Sequence, residues 1–109
     1  MAQSIRVLYR GQKGTIRKNF NWTPIKLDSA VIVTAAEFVP RFGGPMGGPK
    51  TLGRPNLGAA SVYVTNVGPH GPEPEMGGVE FLLHVDWDHP LDVEVTITVL
   101  EDIVEFHQG

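Results

Sequence analysis

The chain contains no cysteine. That absence excludes disulfides, thiolate catalysis and every zinc site built on sulfur. Residues 55–109 contain no lysine or arginine, so the second half offers phosphate no basic surface. No apolar run approaches the roughly 20 residues of a membrane-spanning helix. The opening Met1-Ala2-Gln3-Ser4-Ile5-Arg6 lacks the basic and then apolar pattern of a secretory leader. Synthesis in the cytoplasm is therefore expected, and a virion component or a domain excised from an exported protein would read the same way. Nowhere do apolar residues recur at the helical period of about 3.6. No Gly-x-Ser-x-Gly elbow is present. Lys50-Thr51 follows Pro49 where a phosphate loop requires glycine. With four histidines and twelve acids, catalytic triads and carboxylate pairs can be drawn on paper without anything forcing them. A small hydrolase or isomerase built around His84 and Asp86 is the weakest of the functional readings.

What is present is unevenly distributed. All nine bases fall in residues 1–54, against two acids, Asp28 and Glu37, for a net +7. Residues 55–109 carry ten acids, for −10, and the whole chain sums to −3. Such a separation speaks of electrostatic pairing, within the fold or between copies of it. The overall acidity disfavours nucleic acid, despite Arg6, Arg10, Arg17 and Lys18 lying beside Tyr9, Phe20 and Trp22.

Glycine and proline are also clustered. Ten of thirteen glycines and seven of nine prolines lie in residues 40–58 and 68–78. At that density neither helix nor central strand is expected, so both segments read as long loops. The rest alternates and is rich in Val, Ile, Thr and aromatics, predicting strands at about 4–10, 14–20, 29–39, 60–67, 79–87 and 91–100, with a short candidate at 22–27. At 109 residues, one domain over 1–109 is expected: a single antiparallel β-sandwich, immunoglobulin-like Greek key first and jelly roll second.

The strands 79–87 and 91–100 read as a terminal hairpin. Val79, Phe81, Leu83, Val85 and Trp87 share one parity, and so do Val93, Val95, Ile97 and Val99. Paired residues must share a face, so Asp86 is expected opposite Asp92 and His84 opposite Glu94. That register would gather Asp86, Asp88 and Asp92 at the hairpin end as candidate Ca²⁺ ligands, although the spaced loop of an EF-hand is missing. The competing reading is a solvated acidic face, and no cofactor is required. Trp22, beside Asn19, Asn21 and Thr23, is the candidate planar face for carbohydrate, set against simple packing on the edge of the fold.

The first functional reading is a non-enzymatic structural or interaction module that assembles with copies of itself, as shell, capsid, decoration or tail-type subunits do. Its candidate assembly residues are Arg6, Arg17 and Lys18 on the basic half and Phe42, Met46 and Leu52 on the first loop. Complementary but different patches make a heterologous contact that closes into rings or extends into lattices. The second reading is a carbohydrate- or Ca²⁺-binding module.

Overall fold

A computed structural model describes residues 2–40 and 53–109. Phe42, Met46 and Leu52 lie outside the described residues. Among the described residues, seven strands follow in chain order: β1 (Gln3–Gln12), β2 (Gly14–Asn21), β3 (Ser29–Pro40), β4 (Gly53–Asn56), β5 (Ser61–His70), β6 (Gly78–Asp86) and β7 (Leu91–Asp102). They form two antiparallel sheets, of order β1-β7-β3-β4 and β2-β6-β5. Among the described residues there is no helix.

The two sheets share one core. Val33, Val93, Val95, Ile97 and Val99 enter it from the four-stranded sheet. Val79, Phe81, Leu83 and Val85 meet them from the three-stranded sheet. Burying a side chain of this size contributes about 1.5–3 kcal/mol relative to leaving it exposed. Ile25, fully buried, joins the same cluster from the segment between β2 and β3. That segment is no strand: Ile25 N–H donates to Trp22 O across a turn, and Trp22 and Leu27 N–H donate to Gly77 O and Gly71 O.

The expected terminal hairpin does not form. β6 lies between β2 and β5, whereas β7 lies between β1 and β3. His84 therefore pairs with Thr15 and Tyr63, and Glu94 with Leu8 and Ala36. Val79, Phe81, Leu83 and Val85 of β6 and Val93, Val95, Ile97 and Val99 of β7 do enter the core, but shared parity is satisfied equally by strands that face each other across a core. Pro90, which has no N–H with which to close a hairpin turn, lies in a connection that crosses between sheets. Trp87 also departs from expectation. β6 ends at Asp86, the alternation stops with it, and Trp87 is exposed.

The first Gly/Pro-rich loop is shorter than expected, because β4 pairs with Glu37–Pro40 at the end of β3. The second shrinks because β5 continues to His70 and β6 begins at Gly78. Within β5 the register shifts between Thr65 and Gly68. Asn66 there has φ of 55°, a left-handed conformation that asparagine tolerates better than most residues. The bulge leaves Asn66 exposed while Val67 packs against the core.

A polar face on the three-stranded sheet

Alternation decides what the three-stranded sheet presents to solvent. Odd residues of β6 enter the core, so Glu80, Leu82, His84 and Asp86 point away from it. Register adds the same-face neighbours. Thr15, Arg17 and Asn19 of β2 lie opposite His84, Leu82 and Glu80. Ser61, Tyr63 and Thr65 of β5 lie opposite Asp86, His84 and Leu82.

His84 is held on three sides. Its Nδ1 lies 3.0 Å from Thr15 Oγ1 and its Nε2 lies 2.7 Å from Thr65 Oγ1. Tyr63 stacks on its ring with centroids 4.5 Å apart and planes within 10°. Hydroxyls both donate and accept, so the two threonines satisfy either imidazole tautomer. Further along the face, Arg17 Nε donates to Glu80 Oε2 at 2.8 Å. Asn19 Oδ1 lies 2.6 Å from His70 Nε2, and Met76 O lies 2.9 Å from His70 Nδ1. Two shallow recesses open here. One of about 210 Å³ is lined by Gly14, Thr15, Tyr63, His84, Val85 and Asp86. The other, of about 260 Å³, is lined by Arg17, Asn66, Glu80, Phe81 and Leu82.

The three aspartates read as calcium ligands are dispersed. Asp86 ends β6 opposite Ser61. Asp88 is exposed in the connection, 3.6 Å from His89. Asp92 lies in the other sheet, where it accepts from Arg10 Nη1 and from Gly11 N–H, each at 3.0 Å. Gly11 and Gly14 both have positive φ, so Asp92 secures the corner between β1 and β2 that only glycine turns without strain. Among the described residues, the metal-ligating atoms that converge within 4.8 Å belong to His70, Glu75 and Glu80. There Glu80 is engaged by Arg17, and both His70 nitrogens already have partners.

Four bases of the basic half, Arg6, Arg10, Arg17 and Lys26, have acidic neighbours within the chain. Arg10 meets Asp92 at 3.0 Å, Lys26 meets Asp102 at 2.8 Å, and Arg17 meets Glu80. Arg6 Nε donates to Thr96 Oγ1 at 3.2 Å and lies 3.3 Å from Glu94 Oε1, which has no hydrogen-bond partner. Burial pushes the Glu94 carboxyl above its ordinary range, and Arg6 partly opposes this. The Asp102 hydrogen bond holds the Lys26 ammonium above its ordinary value. Lys18 Nζ sits 4.5 Å from the centre of the Tyr9 ring, a cation–π contact that ties β2 to β1. Trp22 is half-buried and packs against the core. Comparison with protein families, with curated proteins and with solved structures found no match to this chain.

Proposed function

We propose that the chain is a non-enzymatic structural module that assembles with copies of itself, and that its two sheets form a β-sandwich of jelly-roll connectivity. The strand order supports the topology. β1 runs antiparallel to β7 and β2 antiparallel to β6, so the two ends of the chain form one ribbon that crosses from sheet to sheet. A rolled ribbon of this kind is how a jelly roll is wound. An immunoglobulin constant-type order sets its first two strands side by side in one sheet, whereas β1 and β2 lie in different sheets.

One observation carries the assembly reading. Leu27, Ile32, Leu100, Ile103, Val104 and Phe106 are all exposed, Val104 and Phe106 at 90% and 95%. Ile32 pairs with Thr98, and Leu100 follows two residues on along the same face. Ile103 N–H donates to Asp28 O at 2.8 Å, which brings the tail beside Leu27. An exposed apolar strip of this kind marks a contact surface.

The occupant we assign is a second copy. Among the described residues, none pairs as a strand with the chain beyond Asp102, and the outermost strands of the two sheets, β1, β4, β2 and β5, each have one neighbour. An extended segment with Val104 and Phe106 on one side can add to such an edge by backbone pairing. The charge poles are a poorer source of assembly, because Arg6, Arg10, Arg17 and Lys26 have acidic neighbours within their own chain.

Light scattering across protein concentration and ionic strength tests the reading. We expect association that persists as salt rises and is abolished in the double variant Val104→Asp, Phe106→Asp. A monomer at every concentration, or an assembly indifferent to that double change, would overturn it.

A further inference from the structure

We infer that the outer face of the β2-β6-β5 sheet binds a neutral polyhydroxylated chain, a linear oligosaccharide laid along β6. This inference is independent of the assembly reading, since it uses the other sheet and none of the tail.

The ligand class follows from what the face offers and withholds. Among the described residues, its cation, Arg17, is already matched by Glu80, and Asp86 adds a carboxylate for which no ion pair is seen. Phosphate, sulfate and nucleic acid would meet no spare positive charge among the described residues of this face. Leu82 is the lone aliphatic side chain pointing outward from β6, which gives lipid or an apolar peptide little surface to cover. The recesses are shallow, so a small ligand would not be enclosed as drug-sized pockets enclose theirs.

What remains suits a sugar. Tyr63 has one face on His84 and is 47% exposed, leaving aromatic surface against which the C–H face of a pyranose can stack. Around it stand hydroxyls, carboxylates, amides and a guanidinium: Thr15, Thr65, Asp86, Asn66, Glu80 and Arg17. Many of these groups are held before any ligand arrives. Thr15 and Thr65 grip His84, and Arg17 grips Glu80. A preorganised array loses little side-chain freedom on binding.

The spacing of the recesses argues for a chain over a single sugar. From β6, one is lined by His84, Val85 and Asp86 and the other by Glu80, Phe81 and Leu82, an offset of four residues along the strand. At ~3.3 Å per residue that is ~13 Å, more than one pyranose ring spans. The bulge at Asn66 supplies a side chain to the second recess where regular alternation would shift it away.

The test is titration of the isotopically labelled chain with soluble hexaoses of the cello, xylo, manno and laminari series, followed by amide chemical shifts. We expect at least one of them to move the amides of β2, β6 and β5 that flank Tyr63 and Leu82. We further expect Tyr63→Ala and Asp86→Ala, both at exposed positions, each to weaken that binding by about tenfold or more. Trp22→Phe should leave it unchanged. The inference is overturned if no hexaose shifts this face up to about 10 mM. Shifts confined to Trp22 or the C-terminal residues, or undiminished affinity in both alanine variants, would overturn it equally.

Discussion

Glu94 is the residue whose environment most opposes its chemistry. It lies on the face of β7 turned away from the core, yet its side chain is only 5% exposed, and Oε1 accepts no hydrogen bond. Burial raises its pKa, and the neighbouring Arg6 reduces the effect without cancelling it. A carboxyl whose pKa is higher folded than unfolded holds its proton more tightly in the native state. Stability from this group is therefore greatest below its ordinary value of 4.5 and is lost as the pH rises through the raised value. Glu94→Gln keeps the shape and removes the charge. We expect it to add about 1 kcal/mol at neutral pH and almost nothing near pH 4. Thermal melts across that range check the expectation, and a glutamine variant less stable than the parent at neutral pH would show that Arg6 outweighs burial. At the opposite extreme, Leu83 is fully buried between Ile16 and Val64 in its ladder. Leu83→Ala should cost about 2–5 kcal/mol in denaturant unfolding. A loss of a few tenths would contradict the packing.

At the scale of elements, the segment between β2 and β3 is docked by backbone contact. Trp22 N–H reaches Gly77 O, Leu27 N–H reaches Gly71 O, and Ile25 is delivered into the core. A methyl group on Gly77 would collide with Ile25 O, which is main chain and cannot swing aside. Gly77→Ala should therefore destabilise the protein by about 1–3 kcal/mol. We expect the damage to appear first as faster amide exchange at Trp22 and Leu27, whose bonds depend on that close approach. Exchange as slow as in the parent would mean that the two loops adjust independently. β4 shows the converse: four residues inside a glycine- and proline-rich stretch become strand because Glu37–Pro40 of β3 offers them an edge.

At the scale of the whole molecule, several of the separated charges meet on neighbouring strands. β1 carries Arg6 and Arg10 beside Glu94 and Asp92 of β7, and β2 carries Arg17 beside Glu80 of β6. The exposed pairs, Arg10–Asp92 and Arg17–Glu80, contribute about 0–1 kcal/mol each, but reversing a base sets carboxylate against carboxylate. Arg6→Glu, Arg17→Glu and Lys18→Glu together should lower the melting temperature and leave the association state as it was. The triple change also removes the Lys18–Tyr9 contact. A variant that melts normally but no longer associates would move the poles to the contact between copies.

Strand content and the parity of the core strands needed no tertiary information. Phe81, Leu83, Val85, Val95 and Ile97 alternate with residues that are polar apart from Leu82, and period-2 alternation has one physical outcome when one face is dry. The outward placement of His84 and Asp86 was equally legible. Partner choice was not. Two strands with odd residues inward can lie edge to edge or face to face, and their own residues do not distinguish the two. Only competition among the described strands for neighbours set β6 and β7 in different sheets. That decision dispersed Asp86 and Asp92, brought Asp92 to Arg10 and Gly11, and placed Tyr63, Thr15 and Thr65 around His84. Pairs separated by 19 to 69 positions meet through register, and register belongs to the sheet as a whole rather than to any one strand.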